Sequence, residues 1–246
     1  MEVIRAYPFA VNPLTLLTWR TAVWASDPAW SHPSEGGAVD AWRDGGTADT
    51  PLTQSVAARR PLWSATSFAG KPGVTFDGTN DTLGASLSGV SGTYSVVAIM
   101  RMVTVPDGVS TVPLSLQATA IGTMYAFCPF RAISNANYTR LRGTPGGTPF
   151  VSYGPTDTDA HLWLAVGRPT GTQIEMGRDG INVASSSTSG APSAPDAFWL
   201  GAQSDASAAA NVVVAFAGVF PGDITADPNW AAFKAWVATN YALTIA

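Results

Sequence analysis

Charge is what this chain lacks most. Only 12% of its 246 residues are charged, about half the share usual in soluble domains. Lysine occurs only as Lys71 and Lys234, and glutamate only as Glu2, Glu35 and Glu175. The net charge of −4 comes without any basic run or stripe, so the electrostatic footprint of a nucleic-acid partner is missing. The single cysteine, Cys128, excludes an internal disulfide and reads as a small buried residue in the apolar run Tyr125-Ala126-Phe127-Cys128-Pro129-Phe130. Two histidines, His32 and His161, at unrelated positions build no zinc site. No run of 18 apolar residues exists, so no membrane insertion is expected. The first residues, with Glu2, Arg5, Pro8 and Pro13, hold no apolar signal core, which predicts synthesis in the cytoplasm without a signal peptide.

What is present is short and neutral. The surface must consist largely of Ser, Thr, Asn, Gly and Ala. Such side chains lose little rotamer entropy when covered, which suits a protein packed into an assembly. Compositional bias of the genome would produce the same surface. The length fits one large β-sandwich, able to bury roughly 70–75% of its unfolded surface.

The stretch Gly70-Lys71-Pro72-Gly73-Val74-Thr75-Phe76-Asp77-Gly78-Thr79-Asn80-Asp81-Thr82-Leu83 organises the rest. Val74 and Phe76 share one face of a strand. Asp77 to Asn80 supplies turn chemistry, and Thr82 and Leu83 begin what reads as the return strand of a β-hairpin. Upstream lies Val39-Asp40-Ala41-Trp42-Arg43-Asp44. This pair of motifs resembles the laminin-G-like, concanavalin-A-like lectin jelly roll, over roughly residues 14 to 246. The resemblance implies an all-β fold, a two-sheet antiparallel jelly-roll sandwich with one C-terminal helix.

The chain's own patterning agrees. Leu14 to Trp24 reads as strand. In Thr93 to Met102, Tyr94, Val96, Ala98, Met100 and Met102 face one way, and Val97 and Ile99 the other, so this strand is covered on both sides. Val212 to Phe220 has the same two-sided character. Asp179-Gly180 between apolar strands predicts a two-residue hairpin turn of the I′ kind. Asp227 as N-cap and Pro228 at the first helical position predict a closing helix whose face holds Trp230, Phe233, Val237 and Tyr241. Residues 1–13, with two prolines, read as an extended N-terminal arm ahead of the 14–246 sandwich.

Catalytic chemistry finds little material. Sandwich hydrolases need carboxylates at alternating positions of one strand, and none of the three glutamates has an acid two positions away. No Gly-x-Ser-x-Gly elbow or phosphate loop occurs. The catalytic set is therefore empty, and His161, beside Trp163, reads as a satisfied or rim histidine. Calcium stays open through the resemblance, with Asp77, Asn80 and Asp81 as oxygen ligands or simply as the turn itself; Asp157 and Asp159 form a weaker set. Trp19, Trp42, Trp163, Trp199 and Trp230 sit in regular elements and read as core. Trp24, Trp30 and Tyr138 are the candidates for a glycan platform at a loop rim.

The resemblance extends to modules of bacteriophage virions. The expectation is a non-enzymatic virion structural protein, a head decoration or a tail or fibre component. It would stand on the virion surface, exposing a lectin-like sandwich for host-glycan adhesion. Partners would be other virion subunits, in a homo-oligomer or a capsid or tail assembly, with Val3, Ile4, Tyr7 and Phe9 of the arm as anchor. The alternative is a stand-alone carbohydrate-binding lectin module.

Overall fold

A computed structural model describes residues 11–104, 111–118, 123–133, 138–142, 150–155, 157–168, 173–187, 194–202 and 208–246. In chain order the strands are β1 (Thr21–Trp24), β2 (Ala41–Trp42), β3 (Leu52–Thr53), β4 (Leu62–Phe68), β5 (Lys71–Asp77), β6 (Leu83–Ser86), β7 (Tyr94–Met102) and β8 (Leu114–Ala118). They continue with β9 (Thr123–Ile133), β10 (Tyr138–Arg142), β11 (Phe150–Pro155), β12 (His161–Arg168), β13 (Gln173–Arg178), β14 (Ile181–Ser187), β15 (Ala197–Leu200) and β16 (Asn211–Phe220). Among the described residues there is one α-helix, α1 (Trp230–Tyr241), near the end of the chain.

The strands make two antiparallel sheets. Sheet A runs β14-β13-β12-β7-β16-β5-β4, with β1 also paired to β16. Sheet B runs β11-β10-β9-β8-β15-β6-β3-β2. Between them lies the main core, with Val74, Phe76, Tyr94, Val96, Ala98 and Phe198 fully enclosed. A second core lies between the outer face of sheet A and α1, where Trp19, Phe216 and Phe233 meet with ring centroids 5.1 to 5.5 Å apart. This is why β7 and β16 are apolar on both faces. Val97 and Ile99 of β7 serve the helix-side core, while Tyr94, Val96, Ala98 and Met100 serve the core between the sheets.

The expected helix is there, but it starts later. Asp227 closes a 3-10 turn over Ile224–Ala226, its backbone N–H donating to Ile224. Its carboxylate accepts the Asn229 amide at 2.8 Å, so α1 begins at Trp230 with Asn229 as its cap residue. The expected face, Trp230, Phe233, Val237 and Tyr241, is buried, and Trp236 joins it.

Two further expectations are corrected. Leu14 to Trp24 is strand only from Thr21. Asn12 caps a 3-10 turn, its side chain accepting the Leu14 amide at 2.9 Å, and Pro13 opens that turn. Leu14, Leu17 and Trp19 then pack into the helix-side core instead of alternating. Nor is Val74 to Leu83 a hairpin. Strand β5 pairs with β4 and β16 in sheet A, whereas β6 pairs with β15 and β3 in sheet B. The Asp77–Thr82 segment is an arch between sheets, and it has to be, because Phe76 and Leu83 both enter the main core. The hairpin turn at Asp179-Gly180 is as expected, with φ of 51° and 87°. The arm's residues 1–10 lie outside the described residues.

Candidate functional site

The loop tryptophans do not form a platform. Trp24 is 2% exposed and sits under α1. Its indole N–H donates to the Tyr241 hydroxyl at 3.1 Å, and its ring meets Trp236 edge-on. Trp30 is 7% exposed; it stacks on Trp42 with centroids 5.6 Å apart and donates to the Ala41 carbonyl at 3.1 Å. Neither offers a ring face to a sugar: a large apolar ring beside a core is worth more buried than left wet. Tyr138 opens β10 opposite Ile133, and its side chain lies outside the described residues, as does that of Cys128. The anchor candidates Val3, Ile4, Tyr7 and Phe9 lie outside them too. The arm's last residues are held, since Trp236 donates to the Val11 carbonyl at 3.0 Å.

Two carboxylates of the oxygen cluster, Asp77 and Asp81, bond within the arch. Asp77 accepts the Thr79 amide at 2.7 Å and the Asn80 amide at 3.4 Å. Asp81 accepts the Asp77 amide at 3.0 Å, and its burial pushes its carboxyl above the usual range. Upstream, Asp44 does similar work. Its carboxylate, 2% exposed as a residue, gathers the amides of Ala22 at 2.8 Å, Gly46 at 2.7 Å and Thr50 at 3.0 Å. Among the described residues no group of three His, Cys, Asp or Glu stands ready for a metal ion.

A charged cluster closes one end of the sandwich. His161 at the start of β12 has Nδ1 2.7 Å from Asp179 and Nε2 2.8 Å from Asp157. Arg178 donates to the other Asp157 oxygen at 2.8 Å, with its guanidinium 5.6 Å from the Trp163 ring centre. Burial works against the imidazolium, but the hydrogen bonds to Asp179 and then Asp157 outweigh it and hold the His161 pKa above its ordinary value. Burial likewise opposes the Asp157 carboxylate, and His161 and Arg178 overcome it and hold Asp157 low. Both ring nitrogens of His161 are engaged by carboxylates, and Arg178 Nε lies 3.1 Å from Nδ1, so the imidazole is held as one member of this cluster. Asp157 is committed to this cluster; the neighbouring Asp159 donates its amide to Asp157 at 3.1 Å.

Among the described residues the two glutamates, Glu35 and Glu175, stay apart. Glu35 accepts the Ala65 amide on β4 at 2.8 Å, and Glu175 on β13 pairs with Arg168 at 2.8 Å. Five interstrand spacings separate β13 from β4 in sheet A, about 24 Å at roughly 4.8 Å each. No paired-carboxylate site can form from them.

The arrangement that sequence reasoning missed is on sheet B. Register places Thr53, Gly84, Trp199 and Ser115 in one row across β3, β6, β15 and β8. The flanking residues Leu83, Leu200 and Leu114 face the main core, so this row is on the outer face. Trp199 is half-buried and lies flat on Gly84, where an added Cβ would fall 2.1 Å from Cε3 and 2.2 Å from Cζ3 of the indole. Ser86 and Gln117 lie one row along, each opposite Ala197. Ser115 is buried, but Thr53 and Ser86 are exposed and Gln117 is half-buried, so an indole laid on a glycine near these groups can stack on the apolar face of a sugar ring and bond its hydroxyls. The signal was available: Gly84 among apolar strand residues marks close approach by another group, and Trp199 alternates with Phe198 and Leu200.

No family model matches the chain, and no curated protein matches it in sequence. Solved structures do. Trypanosoma rangeli sialidase, in complex with 2,3-difluorosialic acid as a covalent intermediate, aligns at 13% identity and a TM-score of 0.60, over 90% of this chain and 33% of that one. The binding domain of botulinum neurotoxin serotype D aligns at 7% identity and 0.61, over 93% of this chain and 53% of that one. The receptor binding domain of botulinum neurotoxin type G gives 7% and 0.58, over 89% and 51%. The chain thus spans about a third of the sialidase and about half of the toxin domains. At these identities the likeness shows a shared sandwich fold.

Proposed function

We propose that this chain is a non-enzymatic recognition module of the concanavalin-A-like, laminin-G-like kind. It is carried on the surface of a bacteriophage virion, where its sandwich binds host-cell glycan. The observation that carries the reading is the outer face of sheet B, where the half-buried Trp199 lies on Gly84 within two strands of the exposed Thr53 and one row from Ser86 and Gln117. The opposite side of the sandwich is closed by α1, and Val11, bonded to Trp236, leaves from that side. An arm anchored through Val3, Ile4, Tyr7 and Phe9 to another virion subunit would therefore hold the sandwich with sheet B outward. The separated glutamates and the doubly engaged His161 support a binding role over a hydrolytic one.

A second reading, a stand-alone lectin module, is favoured by the likeness to toxin receptor-binding domains. It uses the same face and drops the assembly.

The test is binding of the purified protein to a broad glycan array, with and without calcium, beside Trp199→Ala. Saturable binding that survives chelation and falls at least tenfold in the variant is expected. Absence of binding to any glycan, or binding indifferent to Trp199, would overturn the platform. Deletion of residues 1–10 should abolish incorporation into particles while leaving glycan binding intact; normal incorporation of the deleted chain would leave the stand-alone reading.

A further inference from the structure

On the outer face of sheet A, beside α1, a cavity of about 260 Å3 lies over β12, β13 and β14. Alternation builds its floor, since Leu162, Leu164 and Val166 of β12 all turn to the helix side. Register sets Gly177 of β13 beside Leu164, and Asn182 of β14 beside Gly177. Gly177 keeps the floor open, because an added Cβ would stand 3.2 Å from the Leu164 Cβ. Trp230, which opens α1, forms a wall, its ring stacked on Phe233 with centroids 5.6 Å apart. Thr225, from the 3-10 turn before α1, and Glu175 add polar groups to the lining.

The charge at this cavity is unbalanced. Glu175 stands opposite Val166. Arg168 pairs with Glu175 Oε2 at 2.8 Å and also with the Asp223 carboxylate. Two carboxylates thus share one guanidinium, and the group carries one net negative charge. Burial opposes both Asp223 and Arg168 as ions. Hydrogen bonds to Thr225 and Arg168 still hold Asp223 below the usual carboxylate range, and those to Asp223 and Glu175 hold Arg168 above its ordinary value. The other Asp223 oxygen accepts the Thr225 amide at 3.1 Å and the Thr225 hydroxyl at 2.7 Å. The other Glu175 oxygen has no partner among the described residues. At the far end of these strands the charges are matched, Asp157 and Asp179 against His161 and Arg178. An apolar floor, an indole wall and one uncompensated carboxylate charge suit a small cation that carries apolar bulk, and they repel an anion.

We infer that this cavity binds a small primary amine with an apolar body, its ammonium on Glu175 and its body on Leu164, Val166 and Trp230. The ammonium donates to the carboxylate, and the body displaces water from the floor. The site is on sheet A, across the sandwich from Trp199 on sheet B, and it does not depend on the glycan reading.

The test is a backbone-amide NMR titration of the purified full chain with phenethylamine, its neutral counterpart phenethyl alcohol and the anion 3-phenylpropanoate. Shifts should centre on Gly177, Asn182 and Thr225. The amine should bind about tenfold or more tightly than the alcohol, as a hydrogen bond to a charged group implies, and the anion should not bind. Glu175→Gln should bring the amine down to the level of the alcohol. Leu164→Phe, which fills the floor, should abolish binding of both. Near-ultraviolet circular dichroism checks that each variant is folded, and the three-probe comparison on the unaltered chain needs no variant. Glycan binding should be unchanged in Glu175→Gln, so failure here leaves the recognition module standing. Equal affinity for the amine and the alcohol, or no shifts at the cavity residues, would overturn the inference. So would a full chain that binds the amine only after deletion of residues 1–10, which would make the arm the occupant.

Discussion

Asp44 is the residue on which the upstream half of the fold turns. It gathers three backbone amides from β1 and its own loop, and charge-assisted bonds of this kind contribute about 1.5–3 kcal/mol each. Asp44→Ala should therefore cost about 3 kcal/mol or more in urea unfolding, and Asp44→Asn about half as much; a loss below about 1 kcal/mol in the alanine variant would sink the assignment. His161 sets a different dependence. Its pKa is raised in the fold, so its contribution is complete below the unfolded value of about 6.5 and fades as pH rises through the folded one. Asp157 is held low, so its contribution is present above about 3.9 and is lost as pH falls through its folded value. Stability should then peak between these limits, and His161→Gln should flatten the alkaline decline in Tm; an unchanged slope in that variant would remove His161 as its source.

Elements were legible where a pattern had one cause. The strands β7 and β16 announce themselves by apolar residues on both faces, the turn by the Asp179-Gly180 pair, and α1 by the spacing of Trp230, Phe233, Val237 and Tyr241. The Asp77–Thr82 segment did not, because turn residues serve an arch between sheets as well as a hairpin within one. The sequence carries no sign of which sheet Leu83 joins. The site was obscured for a related reason. Trp24 and Trp30 lie near loops yet are drawn into the two cores, while Trp199, in a regular strand, is turned outward by alternation. The helix-side core offers a direct check. Phe233 is fully enclosed against Trp19, Phe216 and Trp230, so Phe233→Ala should cost about 3–5 kcal/mol in chemical denaturation. A cost under about 1 kcal/mol would mean that α1 is only loosely attached.

At the scale of the whole molecule, one strand holds sheet A together. β16 pairs with β7 on one side and with both β5 and β1 on the other. Yet it spans Asn211–Phe220, long after β7 at Tyr94–Met102. A ribosome adding roughly 5–20 residues per second leaves the flanks of that sheet waiting about ten seconds for the strand that belongs between them. Throughout that interval β5 and β7 expose backbone that β16 satisfies in the finished fold, and another extended chain can pair there in its place. The nascent protein is therefore most open to mispairing late in synthesis, and its yield in a cell should depend on chaperone supply more than the stability of the finished sandwich would suggest.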